Sequence, residues 1–581
     1  MVHAAERDIP TSPLRDHAFG ADGERGMVIG PDGAIVWMCA PRWDSDAVFS
    51  RLLGGRGAFT VRPRSAPRVW GGRYEPRSLV WRHRWSTTDG PFECSDALAY
   101  PGEDGTAIVL RRLESTGASP HLVDVSLAPR AGFGVDDATG ANCVDGVWTW
   151  RTGHLHVRVT GLPDAVMSAD GELTALLEVP AGGRVDVVLE LSTSPRSGPV
   201  DADALWAATR ARWHEVVPQV TGTAADADVE RFYAVAHGLT SRHGGMVAAA
   251  TTGLPEQLAG SRNYDYRYAW VRDQCFAGLA DSAAGGHRLL DSAVAFIAAR
   301  LRADGARLRP AYTVTGEPVP DERPLPVPGY PGATPIAGNH ANAQFQLDAF
   351  GEVLLLFARA ARAGRLDDAG WEAARIAADA IAARWDEPDA GIWELEDRWW
   401  THSRLICVSG LRAIADEAPP EPAREWRALA SSIEARVDDE CVTPDGRWGR
   451  AADDARLDVA LLLPAIRGGV DARAEVNART LDAVLADLVH DGHAYRFRHG
   501  EIPLGEAEGA FLLCEATLAL ALVRLGRREE AVRWFERVRG CVTVAGLYSE
   551  EWDPEERQLR GNIPQAFVHA LVAQAAVELG R

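Results

Sequence analysis

Near residue 225 the hydrophobic period of the chain changes, and two periods in one chain call for two kinds of structural layer. Before that point, short apolar runs are cut by turn signals. Met27–Gly30 leads through Pro31-Asp32-Gly33 into Ala34–Met38, a hairpin pattern. Val147–Trp150 and His154–Val159 alternate as strands do, and Arg184–Leu191 follows the turn at Gly182-Gly183. Many strands joined by short turns predict a sandwich or a barrel. The stretch Asp201–Val217 is transitional, and Asp228–Tyr233 opens a linker helix with Asp228 as its expected N-cap. Beyond it the period is helical. Leu289, Leu290, Ala293, Val294, Ile297 and Leu301 form one stripe, and Leu354, Leu355, Leu356, Ala358 and Ala361 lie in another helix. Further helices are predicted over 367–384, 402–415, 421–437, 456–467, 473–490, 510–525, 528–538 and 564–579. Helix follows loop without strands between, which predicts a toroid of paired helices rather than an α/β fold. We divide the chain into an N-terminal β-sandwich (1–222), a helical linker (223–255) and an all-α domain (256–581). No long-period repeat or low-complexity tract interrupts this order.

Several classes of function are excluded by what the chain lacks. It contains no lysine, so neither a phosphate-binding loop lysine nor a pyridoxal Schiff base is available. The eight cysteines include no Cys-x-x-Cys pair, and no His-Glu-x-x-His or calcium-loop spacing occurs. We therefore expect no metal and no cofactor. A net charge of −21 argues against nucleic acid as a partner. No apolar stretch reaches the roughly 18–20 residues of a membrane span. The first ten residues, Met1–Pro10, lack the apolar core of a signal peptide, so a cytoplasmic protein is expected. Nothing in the sequence decides between a monomer and a homo-oligomer.

The loops between the predicted helices are rich in Trp, Tyr, Gly and charge, notably 259–274, 326–346, 391–404, 492–508 and 545–564. In a ring of helix pairs, loops at one end converge on a central cavity, where a rigid scaffold can hold chemistry. Arg262–Asp273 carries three tyrosines, Trp270 and alternating charges. Aromatic faces stack on sugar C–H faces, and an Arg–Asp pair grips neighbouring hydroxyls; a buried ion pair capping a helix near Asp273 is the plainer alternative. In Gly391-Ile392-Trp393-Glu394 a carboxyl beside a tryptophan is expected to be desolvated, with a raised pKa suited to a general acid. Taken alone, Glu394 is better read as a solvated loop residue beside a core tryptophan. Ser549-Glu550-Glu551-Trp552 supplies a second carboxylate, or else part of an acidic turn. Two carboxylates, many aromatics and no cofactor motif point to glycoside hydrolysis.

At these segments the sequence resembles glycoside hydrolase family 15, the glucoamylase and bacterial trehalase family. Asp32–Ser45 resembles the opening of its bacterial members, Asn263–Asp273 its most recognisable signature, and Gly391–Glu394 the segment ending in the general acid. Ser549–Glu551 resembles the segment beginning with the general base, and Gly561–Phe567 the motif that follows. The resemblance implies a β-sandwich followed by an (α/α)6 barrel and an inverting mechanism. It implies Glu394 as acid, Glu550 as base, and Tyr266 near the nucleophilic water. It also implies Trp270, Arg272, Asp273, Trp393 and Arg496 as substrate-binding residues. One position departs from the pattern: where some glucoamylases carry a second acid after the general acid, this chain has Leu395. An inverting pair requires carboxyls on the order of 6.5–9.5 Å apart.

The expected substrate is a small carbohydrate. The first functional expectation is a glucoamylase-like exo-hydrolase that releases glucose from the non-reducing ends of α-glucans or short α-gluco-oligosaccharides. The alternatives are an intracellular α,α-trehalase, a sugar phosphorylase, and a catalytically inactive sugar-binding protein.

Overall fold

The computed structural model describes residues 12–66, 69–257, 262–331 and 333–581. The Met1–Pro10 reading and the start of the 259–274 loop lie outside the described residues, as does Gly332 within the 326–346 loop.

The N-terminal part is built from two eight-stranded antiparallel sheets. The hairpin expected from Pro31-Asp32-Gly33 forms, with Gly26–Ile29 pairing Ile35–Cys39 through Met27 opposite Met38 and Val28 opposite Trp37. Val147–Thr152 pairs Leu155–Thr160, which in turn pairs Arg184–Ser192. The alternation seen in the sequence puts Val157, Val159, Leu189 and Leu191 in the core. Fully buried Arg111 ties the sheets together. It donates to its ion-pair partner Asp96 at 2.7 Å and to the Phe59 carbonyl at 2.7 Å. The transitional stretch is a helix, Ala202–Val216, capped by Asp201.

The rest of the chain closes into a double ring of helices. The inner ring runs Val271–Ala283, Leu347–Arg362, Thr401–Glu417, Leu463–Arg467, Leu512–Arg524 and Ala566–Gly580, each packed on the next and the last on the first. Between these lie the outer helices Asp226–Leu239, Arg288–Asp304, Asp368–Arg384, Pro420–Cys441, Glu475–Asp487 and Arg528–Arg539. This is an (α/α)6 barrel. The burial patterns explain which helix goes where. Ala566–Leu579 is buried on every side, as a helix covered all round must be, whereas Arg528–Arg539 buries only Ala531, Phe535 and Val538. Gly351 and Gly410 let two inner helices touch backbone to backbone: a Cβ on Gly410 would stand 2.3 Å from the Gly351 carbonyl oxygen.

Two expectations are corrected. The 456–467 helix is only a 3-10 turn, Val459–Leu462, and the short Leu463–Arg467, because the preceding residues pair as extended chain: Asp458 bridges to Phe497. The linker helix starts at Asp226, not after Asp228. Asp226 accepts from the Thr223 amide and hydroxyl, while Asp228 turns outward to Arg539. Among the described residues, no helix is long and apolar enough to cross a membrane.

Candidate active site

The sandwich helps to place the signature loop. Arg267, fully buried and paired with Asp265, donates to the Ser45 carbonyl at 2.7 Å and to Cys39 Sγ at 3.3 Å. Cys39 ends one strand of the hairpin sheet, so the loop that carries Tyr266 and Trp270 is clamped between sandwich and barrel. Trp270 then leads directly into the Val271–Ala283 inner helix, which places Arg272 and Asp273 in its first turn.

One cavity at the loop end of the barrel is lined by all eight residues expected from the sequence: Tyr266, Trp270, Arg272, Asp273, Trp393, Glu394, Arg496 and Glu550. Glu394 sits at the end of a tight turn. Its own φ is +58° and that of Gly391 is +66°. A Cβ on Gly391 would meet the Trp400 ring at 2.8 Å, so only glycine fits. Asp389 anchors this turn: its Oδ2 accepts from the Gly391 amide at 3.2 Å, and its Oδ1 pairs with Arg404. Glu394 Oε1 accepts from Trp270 Nε1 at 2.7 Å and lies 3.4 Å from an Arg272 nitrogen.

The environment of the two carboxyls differs from the sequence expectation. The indole that contacts Glu394 belongs to Trp270 rather than to its neighbour Trp393, whose N–H donates to Asp458 at 2.8 Å. Glu394 is only partly buried, whereas Glu550 is buried. The left-handed turn over Gly391–Glu394 sends the two adjacent side chains to different partners, Glu394 to Trp270 and Trp393 to Asp458. Glu550 stands just before the strand Glu551–Asp553, its carbonyl accepting from the Leu512 amide. Its Oε2 accepts from the Tyr266 hydroxyl at 2.7 Å. Burial, and then the charge of Glu256, push the Glu550 carboxyl well above the usual range. Burial pushes Asp273 up to about 7, against Arg272 and with the charge of Glu394. Tyr264 lies parallel to Tyr266, with rings at 6.4 Å and 7°. Arg496 donates to Glu508 at 3.0 Å and sits over the Phe511 ring at 4.5 Å. Although burial opposes it, Arg496, His499 and Arg262 hold the Glu508 carboxyl below the ordinary range.

Sequence reasoning missed Glu256, Glu508, His499, Asn339, His340 and Gln565. Glu508 pairs with Arg496 and the other five line the cavity. Leu254-Pro255-Glu256-Gln257 carries no aromatic flank, and Glu508 sits in a glycine-rich acidic loop, so neither glutamate had a local signal. Among the described residues, one group has the spacing of a metal site, buried His493, Glu515 and Cys541, and these residues do not line the cavity.

Comparison with known proteins gives the same picture from sequence. Residues 238–577 match the family model described as glycosyl hydrolases family 15, and residues 10–210 match one described as trehalase-like, N-terminal. The chain is 30% identical to a trehalase of Mycobacterium tuberculosis over 618 aligned positions, which cover 98% of this chain and 90% of the relative. A trehalase of Mycolicibacterium smegmatis is 29% identical, with 98% and 92% covered. The crystal structure of a bacterial glucoamylase complexed with acarbose superposes with a TM-score of 0.71 at 14% identity, covering 98% of this chain and 94% of that one. The fold is therefore shared end to end, and the chain is a glycoside hydrolase that belongs to glycosyl hydrolases family 15.

Proposed function

We propose that the enzyme is an α,α-trehalase. Glu394 protonates the departing glycosidic oxygen, and Glu550 draws a proton from a water that attacks with inversion. The observation that carries the substrate is the full-length likeness to proteins named trehalase, including a trehalase-like N-terminal match. This supports the second sequence expectation over the first, the glucoamylase-like one. The geometry supports the chemistry. A general acid and a general base need to face one cavity, and both carboxyls do. Arg272 and Asp273 grip hydroxyls of the bound glucose, Trp270, Trp393 and Arg496 shape its subsite, and Tyr266 holds the base. Leu395 lines the cavity too, so the leaving sugar meets an apolar group where some family members present an acid.

A panel of trehalose, maltose, isomaltose, kojibiose, nigerose and soluble starch, scored for glucose release without added phosphate, tests the substrate. Trehalose is expected to be cleaved fastest. Faster release from starch or maltose would restore the glucoamylase-like reading, and dependence on phosphate as co-substrate with sugar phosphate as product would favour a phosphorylase. The lower exposure of Glu550 favours one rival within the same site, the reverse assignment of acid and base. α-Glucosyl fluoride separates the two, because fluoride leaves without a proton. Glu394→Gln should retain turnover on the fluoride and lose it on trehalose, while Glu550→Gln should lose both; the opposite pattern reverses the roles.

A further inference from the structure

A carboxyl that no motif singled out shares the Tyr266 hydroxyl with the base. Glu256 is 2% exposed, and its Oε1 lies 3.0 Å from the Tyr266 hydroxyl oxygen. The same hydroxyl oxygen is 2.7 Å from Glu550 Oε2. A phenol has one proton and cannot donate to two carboxylates at once. Both contacts can be hydrogen bonds only if one of the two carboxyls contributes a proton of its own.

The surrounding charges favour keeping that proton. Arg262 donates to Glu256 at 2.8 and 3.1 Å, and it also lies 3.2 Å from Glu508 and 3.4 Å from Glu551. The charge of Arg496 also acts on Glu550, but Arg496 is paired with Glu508, which His499 also approaches at 3.0 Å. Glu551, fully buried, adds its charge to that of Glu256 against Glu550, while Tyr264 lies parallel to Tyr266 and the charge of Glu394 also acts on the Tyr266 hydroxyl. Two arginines thus serve four buried glutamates, 256, 508, 550 and 551. Full ionisation would leave excess negative charge in a desolvated pocket, which low dielectric makes costly.

We propose that Glu256 is a positioning residue for the reaction: across the Tyr266 hydroxyl it shares one proton with Glu550, and its charge sets the pH above which Glu550 is free to act as base. The proposal rests on the reading of Glu550 as the base. Its consequence is an acid limb of activity lifted toward neutrality, and the same direction follows from the burial and the Glu256 charge that raise the Glu550 carboxyl. The two carboxyl oxygens stand within about 6 Å of each other. At that range, with the effective dielectric of about 20 to 40 that suits protein sites, a full charge shifts its partner by about one to two pH units.

The test is the pH profile of kcat/KM on trehalose, or on whichever α-glucoside the wild-type enzyme cleaves. In Glu256→Gln the acid limb should move down by about one to two pH units. Arg262 keeps Glu508 and Glu551, so this variant strands no buried cation. Glu256→Asp keeps the charge and should keep the limb close to its wild-type position. Thermal melting of both variants checks folding. In the unmutated enzyme the limb should lie well above about 4.3, the value of an ordinary glutamate, and this needs no variant at all. A wild-type limb at the ordinary value, or a Glu256→Gln profile lowered at every pH with its limb unmoved, would overturn the proposal. Turnover retained by Glu550→Gln would instead overturn the assignment of the base. An inactive Glu550→Gln with an unmoved Glu256→Gln limb would sink only the role given to Glu256.

Discussion

Asp389 does not line the cavity, yet the position of Glu394, the proposed acid, depends on it. Its side chain is fully buried and gathers donors from three elements: the Leu347 amide at 3.1 Å, the Gly391 amide at 3.2 Å, the Ser403 hydroxyl at 2.8 Å and the Arg404 guanidinium. Asp389→Asn keeps the shape but removes the charge and points an amide N–H₂ at a set of donors. Removing one partner of a buried ion pair costs about 3–5 kcal/mol. Two features place this case at the low end. Arg404 still donates to the Trp385 and Glu387 carbonyls and lies over the Trp399 ring at 4.7 Å. Burial already works against the Asp389 charge, so part of its desolvation cost is returned. We expect a loss of about 3 kcal/mol, read as a lower urea midpoint of unfolding. Activity should fall further than stability alone explains. Without its acceptor the Gly391 amide releases the turn that sets Glu394, and a displacement on the order of 1 Å costs about 100-fold in turnover. The assay is kcat at saturating trehalose on protein shown to be folded. A variant with the wild-type midpoint and a kcat within about threefold of wild type would refute both the anchoring role and the route from Asp389 to Glu394.

Two further predictions follow from the same geometry. Trp270→Phe keeps the ring but deletes the N–H that reaches Glu394 at 2.7 Å; a hydrogen bond to a charged group is worth about 1.5–3 kcal/mol, so kcat should drop about 10- to 100-fold, and an unchanged kcat would show that the contact does not serve the reaction. Burial pushes Asp348 up to about 7, partly opposed by Arg272. An acid raised on folding destabilises the native state when ionised: the penalty is absent below the unfolded value of about 3.9, grows as pH rises, and is complete above about 7. Asp348→Asn should therefore gain melting temperature relative to wild type between about pH 5 and pH 8, and a difference that stays flat with pH would contradict the assignment.

Much of the fold was legible because periodicity reports which faces are buried. Leu289 through Leu301 and the Met27–Met38 hairpin fall where their patterns put them. Helix ends were less legible, since tertiary partners set them. Asp228 has the residue type of an N-cap but is taken by Arg539. The residues before Val459 are held extended by Phe497, some 39 positions on. In the site, the motifs carried their aromatics with them, and all eight named residues line one cavity. The electrostatics were not legible. Which indole touches Glu394 depends on a left-handed turn, and Glu256 reaches Glu550 across 294 positions of chain through the hydroxyl of Tyr266.

In the proposed mechanism, water activated at Glu550 attacks one anomeric carbon of trehalose in a single displacement step. Proton NMR of the first products, taken before mutarotation, reads the outcome. Inversion at one carbon, with the other glucose leaving unchanged, predicts α- and β-glucose in equal amounts, with oxygen from labelled water confined to the β anomer. Release of α-glucose alone would rule out this mechanism.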